Sequence, residues 1–297
     1  MRDNLNIVLI ILVSIFAVLL ISKNFKALRS FTIKLFKRIC GHNRRKNEKN
    51  QLASLLKVFE VKVGNEPVKL SRWGKSNDGG YVIPVIALEK ADALIGYGIA
   101  GDISFEREFS QRLDKPSFGF DGGVSHIETG DARCHFYSEC IGDADHLYPG
   151  QEFSGKISSY SDHLKMLQLV DRKIFLKMDI EGSEFNVFDD ILKHKDNISG
   201  IVLECHIWWG FQKAIDLLTK LSKDFLLLHV HGNNASIEHY FTSQKSIGRI
   251  PLVLELTYIN KNLVHSYQLS KNQKHPTELD QANCLDHADY QFEILPG

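Results

Sequence analysis

Cysteine is scarce: five residues in 297, odd in number and with no CxxC pair. That usage excludes a disulfide framework and suits a reducing compartment. The chain also lacks a cysteine cluster and an HExxH helix, so no dedicated metal site is expected. No low-complexity tract is present, and 43% hydrophobic residues are enough for the core of one large α/β domain or two small ones. Net charge is absent as well, with 36 basic and 36 acidic residues. The balance is uneven, however. Between Lys23 and Lys49 ten bases stand against Glu48 alone, and from Gln51 onward acids are in excess by the same margin. A net acidic domain is a poor partner for nucleic acid.

One long apolar run is present. "NLNIVLIILVSIFAVLLIS", residues 4–22, contains no charge. Those 19 residues span roughly 28 Å as a helix, about the thickness of a bilayer core. The run is too long for the apolar part of a secretory signal, and no small-x-small cleavage site follows it, so it is expected to remain as a single transmembrane helix. Lys23, Lys26, Arg29, Lys34, Lys37 and Arg38 follow the span, while Arg2 alone precedes it. The positive-inside rule then places the large domain in the cytoplasm. Residues 23–50 form a basic juxtamembrane linker. In it Phe25, Leu28, Leu35, Phe36 and Ile39 can share one helix side against an anionic leaflet, or the segment is a solvated spacer.

From residue 51 to 297 short apolar runs alternate with amphipathic stretches. "ADALIGYGI", "PSFGFD", "HFYSECIG", "RKIFLKMDI", "ISGIVLECHI", "DFLLLHVHG" and "PLVLELTYI" read as seven strands. Helices are expected at "SFEREFSQRL", with Ser104 as N-cap, and at "SDHLKMLQLV", "SEFNVFDDILKH" and "GFQKAIDLLTKLSK". This alternation implies a Rossmann-like α/β fold, a mostly parallel seven-stranded sheet with helices on both faces. Such sheets bind ligands at the carboxyl ends of their strands. Those ends carry Gly96, Gly98 and Gly101 after the first strand, Asp121 after the second, Asp179 and Glu181 after the fourth, and Glu204 and His206 on the fifth. Asn77-Asp78-Gly79-Gly80 reads as a hairpin turn ahead of them.

The strings "RWGKSNDGGYVIP", "YGIAGDISFEREF", "LKMDIEGSEFNV", "LHVHGNN", "LVLELTYI" and "ANCLDHADYQF", in this order from about Val68 to Phe292, resemble the FkbM-type family of S-adenosylmethionine-dependent methyltransferases, within the class I methyltransferase fold. The resemblance implies an S-adenosylmethionine cofactor. The glycine turn Gly96, Gly98 and Gly101 would approach the nucleoside, Asp121 would accept the ribose hydroxyls, and Asp143 would stand near the adenine amine. Many class I enzymes have an acid just before the first glycine, where this chain has Ala93, Leu94 and Ile95; Asp102 is the substitute on offer.

The expected reaction is methyl transfer to a hydroxyl of a saccharide or glycan acceptor, with Asp179, Glu181 and His206 as the groups that can take its proton. Asp179 and Glu181 share a side if the backbone there stays extended. Glu184 reads as the first-turn acid of the next helix, with Ser183 near its N-cap. Trp208 and Trp209 suit stacking on a sugar ring or ordinary packing. His229, His231 and Asn233 alternate on one strand; a metal site made from them with Asp179 or Glu204 has little in its favour. Two other functions fit the residues: a membrane-anchored glycosyltransferase with "MDIE" as its metal-nucleotide motif, and a cofactor-binding module without turnover.

Overall fold

The computed structural model describes residues 47–142, 155–235, 240–241 and 250–294. The chain divides into two units, Met1–Asn50 and Gln51–Gly297. The expected membrane span, most of the basic linker and Asp143 lie outside the described residues. Among the described residues no helix is long and apolar enough to cross a membrane.

Strand β1 (Phe59–Val63) precedes a hairpin of β2 (Leu70–Gly74) and β3 (Gly80–Pro84), followed by helix α1 (Val85–Lys90). Then come β4 (Ala93–Tyr97), α2 (Ser104–Leu113), β5 (Ser117–Phe120), β6 (Cys134–Tyr137), α3 (Tyr160–Met166), β7 (Ile174–Met178) and α4 (Glu184–Ile191). The chain continues through β8 (Ile198–His206), α5 (Phe211–Asp224), β9 (Phe225–Gly232), β10 (Val253–Asn260) and β11 (Ser266–Leu269). Seven strands form the central sheet in the order β6-β5-β4-β7-β8-β10-β9. The first five run parallel, while β10 is antiparallel to both neighbours. The expected mostly parallel seven-stranded sheet is present. Its order reverses between β4 and β7, because β4 passes the chain outward to β5 and β7 passes it the other way to β8.

The strands are buried on both faces, which is why their sequences read as nearly unbroken apolar runs. Residues of alternate parity feed two cores. Ile174, Leu176, Met178, Ile201, Leu203, Cys205, Leu254 and Leu256 pack in the larger core with residues of α3, α4 and α5. The apolar stripe of α5, Ala214, Leu218 and Leu221, has the helical spacing this requires. Truncating Leu218 to alanine would cost about 2–5 kcal/mol. On the opposite face Leu94, Phe175, Val202 and Ile259 pack with Trp73 and Tyr81 of the hairpin, Ala87 and Leu88 of α1, and Phe105 and Phe109 of α2. Thr257 Oγ1 ties this face to the hairpin by donating to Val82 O at 2.7 Å.

Two local expectations change. The string read as one third strand is divided: Cys134–Tyr137 joins the main sheet, but Glu139–Ile141 pairs with Lys156–Ser158. Glu139 joins this second pair through its buried carboxylate, which meets Lys156 Nζ at 3.0 Å and His163 Nε2 at 3.2 Å. Ser104 does not cap α2. Asp102 Oδ1 accepts the Ser104 N–H at 3.0 Å and satisfies one of the free amides there.

Candidate active site at the switch point

Lys177, Asp179, Glu204, His206 and Glu255 have the parity of the second face. Period two therefore gathers them on one side of the sheet, toward the carboxyl ends of β7 and β8. Where the sheet order reverses, the turn after β4 lies directly against the chain leaving β7. Asp179 N donates to Tyr97 O at 3.0 Å, and a Cβ on Gly98, at φ +70°, would fall 1.5 Å from Asp179 O. Gly98 is therefore needed for the approach of two strand ends. Gly96 makes room for α2: a Cβ there would meet Glu106 Oε1 at 2.0 Å. Gly101 differs, with φ +88° and, among the described residues, nothing within 4 Å of its Cβ direction. Asp121 is held beside this turn, accepting Ala100 N on Oδ2 and Gly123 N on Oδ1, both at 2.8 Å. Asp102 points to the hairpin and meets Lys75 Nζ at 3.1 Å.

Asp179, Glu181 and His206 do come together. His206 Nε2 lies 3.9 Å from Asp179 Oδ1 and 3.3 Å from Glu181 Oε2. The route differs from the extended backbone expected, because Glu181 has φ +55°. That left-handed conformation, which costs a non-glycine residue about 1–2 kcal/mol, turns its carboxylate back to the imidazole. Glu184, the first-turn acid of α4, has a second role. Fully buried, it accepts Gly182 N at 2.7 Å on one oxygen, and on the other His206 N at 2.8 Å and His206 Nδ1 at 3.1 Å. Ser183 makes no side-chain capping bond. Three carboxylates of "MDIEGSE" thus surround one imidazole, two at Nε2 and one at Nδ1.

The tryptophans form a rim. Trp208 has its ring centroid 5.3 Å from that of His206, and a Cβ on Gly182 would come within 2.1 Å of the Trp209 ring. Both remain more than one third exposed. Deeper, Lys177 Nζ reaches Gly98 O at 3.4 Å, and Asn233 donates to Glu204 at 2.7 Å. Asn283 donates to Glu255 at 2.6 Å and to Asp78 in the hairpin loop at 3.3 Å. Asn77 in the same loop bonds Gln281 and Ala282, so the C-terminal segment fastens the hairpin beside this polar row. Charged letters inside "IFLKM", "VLECH" and "LVLELT" were the available signal for Lys177, Glu204 and Glu255.

Electrostatics follow burial and partners. Burial lowers the His206 pKa, but Glu181 and Glu184 outweigh it and push it up to about 11. Burial raises Asp179, against Lys177 and His206, and raises Glu204 strongly, helped by Asp179 and Glu255. The His206 bond lowers Glu181. Among the described residues neither carboxyl oxygen of Glu106, beside Gly96, has a hydrogen-bond partner, and burial raises its pKa.

The histidines of β9 join no such group. A bulge between Leu227 and His229 turns both toward the polar face, where C-terminal acids complete them. His229 Nε2 meets Asp280 at 2.7 Å; His231 meets Glu255 at 3.0 Å and Asp289 at 3.2 Å. In place of a metal site built from them, carboxylates close around both imidazoles. Nearby, an open groove of about 940 Å³ between β1, β11 and residues 272–279 includes His229 and His275 in its wall. It shares no lining residue with the Asp179–Glu181–His206 group.

No protein-family model matches the chain, and no curated protein matches it. A solved structure described as a "Putative riboflavin biosynthesis protein" from Shewanella sp. PV-4 is similar over 60% of this chain and 78% of that one, at 14% identity and a TM-score of 0.24. That likeness is too low to carry an argument about fold or function.

Proposed function

We propose that the chain is an S-adenosylmethionine-dependent methyltransferase, anchored by residues 4–22 with its domain on the cytoplasmic side, that methylates a hydroxyl of a saccharide or glycan acceptor. The observation that carries this reading is one juxtaposition. A glycine turn with Asp121 fixed beside it and a carboxylate–imidazole group meet at the switch point of an open α/β sheet, where such sheets take ligands.

The residues fit the cofactor at the outer part of the turn. Gly101 faces open space, and the two backbone amides that hold Asp121 leave its carboxylate lone pairs for a ribose diol. Gly96 and Gly98 contribute indirectly by setting the path of the turn. When bound, S-adenosylmethionine supplies the methyl group and the sulfur leaving group. The protein must orient the acceptor oxygen and take its proton. Asp179, whose pKa burial raises, would accept that proton. His206, held by Glu184, supplies a fixed donor beside it, and Trp208 and Trp209 offer flat apolar surface at the rim for a sugar ring. Isothermal calorimetry on the full chain in detergent tests the reading. Saturable S-adenosylmethionine binding, abolished by Asp121→Ala, supports it. No binding by folded protein, together with binding of a UDP-sugar in the presence of manganese, replaces it with glycosyl transfer, which the same carboxylates could serve.

A further inference from the structure

We infer that Asp179, Glu181 and His206 form a divalent-cation site. One donor atom from each lies within 4.8 Å of the others. The spacings from His206 Nε2, 3.3 Å to Glu181 and 3.9 Å to Asp179, are those adopted by neighbouring ligands each about 2.1–2.3 Å from one ion.

Three further observations distinguish this group from a chance meeting of acids. The imidazole is 2% exposed, and its other nitrogen is engaged by Glu184, which two backbone amides hold in place. A carboxylate on the far nitrogen is the arrangement that orients metal-bound histidines. Secondly, Glu204 is 4% exposed, is held by Asn233 on one oxygen and meets the carboxyl group of Asp179, so that this ligand is also backed by a fixed side chain. Thirdly, the group is open on one side. The Glu181 side chain is 79% exposed and that of Asp179 26%, which leaves an entry path and coordination positions for an oxygen ligand from water or the acceptor.

Two carboxylates and one imidazole, without a thiolate, suit a divalent first-row ion such as Mn²⁺ better than a soft ion. The site stands on these side chains; only its use in activating an acceptor hydroxyl rests on the methyltransferase reading, and in the ion-loaded protein, where the ion displaces the His206 proton, Asp179 and His206 serve as ligands instead of as proton acceptor and donor.

The test is Mn²⁺ binding to the full chain in detergent, followed by calorimetry and pulsed electron paramagnetic resonance. One saturable Mn²⁺ per chain is expected, with nitrogen modulation from a coordinated imidazole. Glu181→Gln, at an exposed position where folding is not at risk, should weaken binding at least about tenfold, and Glu184→Gln by a similar factor through the orientation of His206. His206→Gln should abolish the nitrogen signal. Glu128→Gln, at another exposed carboxylate, should change nothing. Absence of saturable binding, an affinity indifferent to Glu181→Gln, or a spectrum without nitrogen modulation would overturn the site. S-adenosylmethionine binding without a manganese site would remove this inference and leave the methyltransferase reading; the reverse pattern would keep the cation and remove methyl transfer.

Discussion

Two regions of this sheet combine histidines with carboxylates, and they solve the same electrostatic problem differently. At the end of β9, His229 and Asp280 are 3% and 1% exposed, and His231 lies between Glu255 and Asp289. At the end of β8, His206 is equally buried, but its Nε2 faces a solvent-exposed Glu181 and an Asp179 that also contacts Glu204. The first arrangement is complete and fastens the C-terminal segment to the sheet. The second keeps an open face and an excess of acceptors, as expected of a group that meets a ligand. A strand-end histidine is thus classified by what closes around it.

The largest effect is expected from Asp280→Ala, which leaves His229 buried without its carboxylate. Unfolding free energy from urea titration should fall by about 3–5 kcal/mol, and a loss below about 1 kcal/mol would mean that the β9 region is not closed. If the proposed methyl transfer holds, Asp179→Asn should reduce transfer of labelled methyl to a saccharide or glycan acceptor by about 10²–10⁴-fold with near-native unfolding; equal rates would remove Asp179 from the proton path.

A smaller effect depends on pH. Burial lowers the His231 pKa, but Asp289 and Glu255 override it and push it up to about 10, above the unfolded value of 6.5. A folded pKa above the unfolded one gives stability that is full below 6.5 and lost as pH rises toward about 10. The stability difference between wild type and His231→Gln should therefore be greatest near pH 6 and shrink toward pH 10. A difference that grows with pH would reverse the assignment. The smallest change belongs to Glu181→Gln, within about 0.5 kcal/mol in unfolding because the side chain is exposed. Paired with a large loss of methyl transfer, that result would sharpen the contrast with Asp280.

The sheet was legible because its strands are continuous apolar runs bounded by polar turns, and strand-end residues such as Asp121 and His206 could be placed from that pattern alone. What remained hidden depended on partners distant in sequence. Glu184 shows an ordinary first-turn acid, and its second role appears only when β8 brings His206 alongside, 22 residues later. The closure of His229 and His231 needs acids 51 and 58 residues away. Gly96 and Gly98 looked like ligand-facing glycines, but the side chain of Glu106 and the backbone of Asp179 fill their open sides. A sequence records that a Cβ is missing but not what occupies its place.

Hydrogen exchange of the full chain with and without S-adenosylmethionine is the most direct test of the central claim, that the open group at the β4–β7 switch point is where the ligand binds. Slower exchange is predicted at Ile99–Asp102, Asp121–Gly123 and Asp179–Glu184, with Thr277–Tyr290 unchanged. Protection confined to Thr277–Tyr290 or to the groove beside β1, or no protection anywhere, would contradict it.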